Sequence, residues 1–309
     1  MKTLSIVNGP EKVSALVQGC MRMTDLSNEA AAEVIKAAFD AGITFFDHAT
    51  CYGEDGAAER RFGEAFKLTG LKREDIFLQS KCGLRFERNE FDWTKENILT
   101  SVEESLERLQ TDYLDSLLLH RPDLIFEPEE VAAAFDELEQ SGKVRHFGVS
   151  NVMPYQLELL KKHVKQPLIF NQLQLSIEQS QLIDQGLYMN NLQTERSINR
   201  DGSTLDYCRL HDITIQAWSP LQHGFFQGTF VDNPDFPELN EALDKFAKRE
   251  GVTKAAIALA WILRHPAKMQ VIIGSMNPKH IKEAADASKV TLSHHDWYEL
   301  YLASGKFLP

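Results

Sequence analysis

One rhythm constrains this chain more than anything else in it: short β-rich runs alternate with longer amphipathic stretches, with no linker or composition break between them. The runs are Leu16–Gly19, Thr44–Asp47, Ile76–Ser80, Leu114–Leu119, Phe147–Ser150, Leu168–Gln172, Thr214–Trp218 and Val271–Ile273. Strands separated by helices read as βα units on a parallel sheet. Eight such units predict an α/β fold closed into a (β/α)8 TIM barrel rather than an open doubly wound sheet. Lys95–Leu109 typifies the helical stretches, with Ile98, Val102, Leu106 and Leu109 on one face and Thr94 placed to cap it. Further helices are predicted near 28–41, 129–140, 154–163 and 254–264. Leu4–Val7, the turn signal Asn8-Gly9 and the run from Val13 predict an N-terminal β-hairpin, and His294–Leu302 an extra C-terminal helix.

The 309 residues read as a single barrel domain, 1–309, somewhat longer than the roughly 250 typical of this fold. The surplus falls after the sixth and seventh runs, at 173–210 and 222–243, and is expected to build the active-site face. A net charge of −12 argues against nucleic acid or an anionic membrane as partner, while leaving room for a local basic pocket around one anionic cofactor. No run approaches the roughly 20 apolar residues that span a bilayer, and no charged-then-apolar leader marks a secretory signal. Cys20, Cys51, Cys82 and Cys208 lack CxxC or disulfide-framework spacing and read as free thiols of a reducing compartment, so a soluble cytoplasmic protein is expected. Oligomeric state is not legible in the sequence; nothing demands a partner for folding, and a monomer is compatible with it. His294-His295 has no carboxylate or cysteine at ligand spacing; it reads as surface, and no metal is expected.

Polar, proton-active residues stand just past consecutive runs. Asp47 ends the second and Tyr52-Gly53 follows, Ser80-Lys81 ends the third, and His120-Arg121-Pro122-Asp123 ends the fourth. In a barrel these strand ends converge on one face. A tyrosine there can donate a proton if its conjugate base is stabilised, as a nearby ammonium would do. A buried ammonium needs a counter-charge, which aspartate supplies. A neutral imidazole can orient a carbonyl. Each residue alone has an ordinary reading: Tyr-Gly as a turn, aspartate as a cap, histidine as core, lysine as solvated loop. All four at successive strand ends fit delivery of a proton to an oxygen while hydride reaches the carbon.

The stretches carrying these residues resemble the aldo-keto reductase superfamily, in its bacterial NADP-dependent oxidoreductase branch. Asp47-His48-Ala49-Thr50-Cys51-Tyr52-Gly53 is similar to its Asp-x-Ala-x-x-Tyr-Gly motif, and Trp93–Asp123 and Gly142–Asn151 fit as well. The resemblance implies Asp47, Tyr52, Lys81 and His120 as catalytic residues, with Tyr52 the general acid. It implies Ser150, Asn151 and Gln172 around a nicotinamide carboxamide, Trp218 stacked on the ring, and Gly19 and Asp47 bordering the cofactor. Ser219, Pro220, Leu221 and the loop through Gly224 would follow the pyrophosphate. No GxGxxG follows any run, so the phosphate site is expected at Gly274-Ser275-Met276-Asn277-Pro278, where a helix opens and Asn277 can cap it. Here the chain departs from the family's habit: Gly274 stands where many relatives have lysine, and His280 where arginine is expected. NADPH is the expected cofactor and NADH the alternative.

Met21 and Trp93 are assigned to the substrate pocket from position. Cys20, Cys51 and Cys82 flank pocket residues and read as small packing groups, with a redox-sensitive site the alternative. The function implied is an aldo-keto reductase of class EC 1.1.1.-, moving hydride from NADPH to a small-molecule aldehyde or ketone. A nicotinamide-binding sensor or scaffold is the alternative. A metal-dependent barrel hydrolase lacks the His-x-His expected after the first run.

Overall fold

The structure is a computed structural model that describes residues 1–85, 88–188, 191 and 193–309. Eight parallel strands close into a barrel: β1 (Leu16–Gly19), β2 (Phe45–Asp47), β3 (Phe77–Cys82), β4 (Leu114–Leu119), β5 (Val144–Ser150), β6 (Leu168–Gln174), β7 (Thr214–Trp218) and β8 (Gln270–Ile273). Each pairs with its sequence neighbours, and β8 closes on β1 through Val271–Leu16, Ile272–Val17 and Ile273–Gln18. The barrel predicted from the βα rhythm is the one observed.

The surrounding helices are α1 (Asn28–Asp40), α2 (Ala57–Phe66), α3 (Lys95–Leu109), α4 (Pro128–Gln140), α5 (Pro154–Lys161), α6 (Gln181–Leu187), α7 (Thr204–Leu210), α8 (Pro237–Glu250), α9 (Lys254–Leu263), α10 (Pro278–Ala285) and α11 (His294–Ala303). Local chemistry sets where several begin. The side chain of Thr94 accepts from the amide of Asn97 at α3, and Asn277 accepts from Lys279 at α10, directly before Pro278. No helix among the described residues is long and apolar enough to cross a membrane.

The N-terminal hairpin is looser than a two-residue Asn-Gly turn implies. Only Thr3–Leu4 and Val13–Ser14 pair, and Asn8 is left-handed within the loop between them. That loop places Ile6 in one buried apolar cluster with Val17, Phe45, Leu118, Ile169, Phe170 and Ile272.

The long β6 connection also differs from expectation. Its described residues do not reach the cleft at the strands' C-terminal ends. The chain's own C-terminus clasps this connection instead: the Tyr301 hydroxyl donates to Asp184 at 2.8 Å, and Lys306 Nζ donates to the Ile177 carbonyl at 2.6 Å. A buried carboxylate and a buried ammonium each need partners, and those partners fasten the segment to α11 and the tail.

Candidate active site

Strand alternation decides which side chains enter the barrel. In β3, Gln79 and Lys81 point inward, while Ser80 turns outward and donates to Glu59, itself paired with Arg108 at 2.8 Å between α2 and α3. Inside, the Asp47 carboxylate accepts two bonds from Lys81 Nζ, at 2.6 and 2.7 Å, and one each from Gln79 (2.6 Å) and Gln172 (3.0 Å). The third bond of Lys81 goes to the His48 carbonyl at 2.7 Å. Gln216 accepts from Gln79 and Gln172 and donates to Gln270 at 2.9 Å, and Ser116 donates to Gln79. Lys81 is wholly excluded from solvent. A buried ion pair is tolerated when every remaining donor and acceptor is satisfied, and this amide layer does that.

The Lys81 ammonium lies 4.9 Å from the centroid of the Tyr52 ring, and the His120 ring meets Tyr52 edge-on at 5.9 Å. The spacing argument predicts that the lysine eases ionisation of the phenol. In the structure the ammonium is engaged by Asp47 and the His48 carbonyl, and burial, followed by the Asp47 charge, pushes Tyr52 well above the ordinary tyrosine value. The phenol therefore holds its proton at neutral pH, the form a proton donor needs.

His120 is held well below the usual histidine value, chiefly by burial and then by the charges of Lys81 and Arg121. Its imidazole is neutral, and the Cys51 sulfur lies 3.3 Å from Nδ1. Burial pushes the Cys51 thiol up to about 11. With the thiol as donor to Nδ1, Nε2–H becomes the ring's donor. His48, beside Asp47, has no such part: it is buried edge-on against Phe62, its two ring nitrogens lack hydrogen-bond partners among the described residues, and burial lowers it to about 3.

Asn151 and Ser219, at the ends of β5 and β7, hold left-handed backbone at φ 58° and 51°. Non-glycine residues rarely adopt this conformation, and such strain clusters at functional sites. Asn151 donates to Ser150 at 2.7 Å and accepts from the Trp218 indole at 3.3 Å. Gln172 commits its amide hydrogens to Asp47 and Gln216, leaving its carbonyl oxygen as an acceptor.

These residues line one cleft of about 1510 Å³, larger than the ~300–1,000 Å³ of a typical small-molecule site. The wall brings together most of the residues expected from sequence: Gly19, Met21, Asp47, Tyr52, His120, Ser150, Asn151, Gln172, Trp218, Ser219, Pro220, Leu221, Gly274, Ser275 and His280. Lys81 lies beneath it. Gly19 is required where it stands, because a Cβ there would come within 2.9 Å of Ile272 Cγ2.

Two of the expected residues lie off this wall. Trp93 is 1% exposed and off the wall: it packs against Phe126 and over Gly83, with its amide held by Asp123 at 3.0 Å. Leu84 and Phe91 supply the wall on that side. Gly224 is also off it, its carbonyl accepting from Gln174 at 3.0 Å, while the next residues, Phe225 and Phe226, line the cleft beside Trp218. Sequence reading also missed the partnership of Cys51 with His120 and the inward layer of Gln79 and Gln216. Period-two alternation from Lys81 back to Gln79 was the signal for part of that layer; the Cys51 contact had none.

Comparison with known proteins gives this barrel its class. The Aldo/keto reductase family model matches residues 15–301, and the chain belongs to that family. It is 35% identical to a 6-dehydroglucose reductase of Agrobacterium fabrum over 308 residues, covering 96% of each chain. It is 34% identical to the uncharacterized oxidoreductase YcsN of Bacillus subtilis over 303 residues, covering 94% of each. The solved thermostable aldo-keto reductase Tm1743, in complex with the inhibitor epalrestat, superposes with a TM-score of 0.76 at 27% identity, covering 98% of this chain and 100% of that one. The chain is thus an oxidoreductase of the nicotinamide-dependent, carbonyl-reducing kind.

Proposed function

We propose that this chain reduces an aldehyde or ketone with NADPH, Tyr52 acting as general acid. The observation that carries the reading is Tyr52 on the cleft wall, set above the buried Asp47–Lys81 pair and edge-on to the His120 ring. Cleft and donor set fit a dinucleotide together with a small substrate. Ser150, Asn151 and the free carbonyl of Gln172 suit a carboxamide, Trp218 offers an aromatic face, and the amides before α10 suit a phosphate. When bound, the reduced nicotinamide supplies hydride to the carbonyl carbon.

The chain's own residues do the rest. His120 Nε2–H orients the carbonyl oxygen, and Tyr52 gives that oxygen its proton as negative charge develops. Solvent then returns a proton to the phenolate left beside the Asp47–Lys81 pair. Gly274 and His280 provide no fixed cation for a 2′-phosphate, but Arg22, which donates to the Gly274 carbonyl on the same wall, supplies one and favours NADPH over NADH.

The test is a titration with NADPH and with NADH, read by tryptophan quenching, followed by turnover of an aldehyde and ketone panel. Tyr52→Phe should lower kcat by about 10²- to 10⁴-fold while cofactor affinity stays near wild type. Equal loss of cofactor binding would contradict the role given to Tyr52. Tight cofactor binding without turnover of any carbonyl would favour a sensor or scaffold instead.

A further inference from the structure

One cation on the cleft wall differs from its neighbours. The wall's carboxylates each face a lysine: Asp47 with Lys81, Asp232 with Lys254, Asp244 with Lys248, and Glu283 with Lys279. Arg22 donates to the Gly274 carbonyl at 3.3 Å. Arg121, directly after His120, makes no hydrogen bond or ion pair among the described residues. Its one recorded contact is a guanidinium 5.9 Å from the Trp218 ring centroid. The acidic residue nearest in sequence cannot serve it, because Asp123 spends its two oxygens on the amides of Trp93 (3.0 Å) and Ile125 (2.9 Å).

A half-buried guanidinium without a counter-charge is costly, and an anion arriving beside it recovers that cost through paired, charge-assisted bonds. The burial is real enough to lower Arg121 from the ordinary arginine value. Its position separates it from the phosphate end of the cleft. Arg121 follows β4 next to the imidazole that faces the substrate oxygen, whereas Ser219–Leu221 and Gly274–Ser275 follow β7 and β8.

Resting on the reductase reading above, we propose that Arg121 anchors the substrate, which is an aldehyde or ketone carrying a carboxylate or comparable oxyanion. The oxyanion pairs with the guanidinium while the carbonyl lies between His120 and Tyr52. Apolar parts of the substrate meet Trp218, Phe225 and Phe226, whose rings adjoin one another on that wall. Hydride and proton balance as in the parent reaction, and the oxyanion is unchanged in the product.

The test compares glyoxylate, succinic semialdehyde and 4-carboxybenzaldehyde with the methyl esters of the same acids, and with D-glyceraldehyde as a neutral hydroxyaldehyde. Wild-type protein should favour at least one carboxylate over its ester in kcat/KM by about 10- to 100-fold, the worth of a charge-assisted pair. Arg121→Leu, which keeps an aliphatic cover on Trp218, should bring that ratio close to one, and Arg121→Lys should give an intermediate ratio. Turnover of neutral carbonyls with no carboxylate preference would overturn the anchor while leaving the reductase reading intact. So would an equal loss on D-glyceraldehyde in Arg121→Leu, which would assign the guanidinium to hydroxyl groups. A matching fall in NADPH affinity, read by quenching, would assign it to the cofactor. Failure to turn over any carbonyl would remove the reductase reading itself and the anchor with it.

Discussion

Two sets of side chains inside this barrel come from the same strands and obey opposite rules. Ile6, Val17, Phe45, Leu118, Ile169, Phe170 and Ile272 form an apolar cluster that excludes water and carries no buried charge. Between them Asp47, Lys81, Gln79, Gln172, Gln216 and Gln270 join in one hydrogen-bonded polar set. Volume is what matters in the first, so a lost methylene group is felt as a cavity. Partners are what matter in the second, so a lost partner leaves a buried charge or dipole unsatisfied. Proton chemistry draws on the polar set because a charge that must act cannot be replaced by packing.

The largest expected effect tests that contrast at its centre. Lys81→Met should lower kcat by about 10²-fold or more and cost about 3–5 kcal/mol in denaturant unfolding, because Asp47 is left buried and uncompensated. Adding Asp47→Leu should restore most of the stability and none of the turnover. If the double variant were no more stable than the single one, the layer would be held by something other than charge pairing. Next comes the apolar cluster. Ile6→Ala should cost about 2–5 kcal/mol by the same unfolding measurement, with kcat per folded molecule close to wild type; a large fall in kcat would show that the two sets are coupled.

A smaller effect depends on pH. His48 titrates near 6.5 when unfolded and at about 3 when folded, so the unfolded chain binds the proton first as pH falls. The stability it contributes is complete above about 6.5 and is lost towards about 3, at about 1.4 kcal/mol per pH unit. Unfolding free energies from pH 7 to pH 4 should show this slope, and His48→Leu should flatten it by one proton's worth. An unchanged slope in that variant would place the acid sensitivity elsewhere. The smallest effect falls on the tautomer of His120. Cys51→Ala should lower kcat by about 3- to 10-fold, the worth of one neutral hydrogen bond, and Cys51→Ser should recover most of it. Nitrogen NMR of the His120 ring should report Nε2–H in wild type and a mixture in Cys51→Ala. A ring unchanged between the two would show that the thiol does not set the tautomer.

The sequence by itself determined the barrel and much of the candidate site. Period and order are local properties: strand runs, amphipathic spacings, the caps at Thr94 and Asn277, and the placement of Asp47, Lys81 and His120 at strand ends are written residue by residue. Only the tertiary structure decided what those residues touch. That the ammonium of Lys81 is taken by Asp47 and the His48 carbonyl, that Cys51 rather than a carboxylate faces His120, and that Trp93 lies under the wall all depend on contacts between segments distant in sequence. The extra length after β6 reads the same in sequence as the extra length after β7. One is clasped by the C-terminal tail and the other lines the cleft. Composition does not separate them, because where a loop settles depends on which distant partners satisfy its buried polar groups.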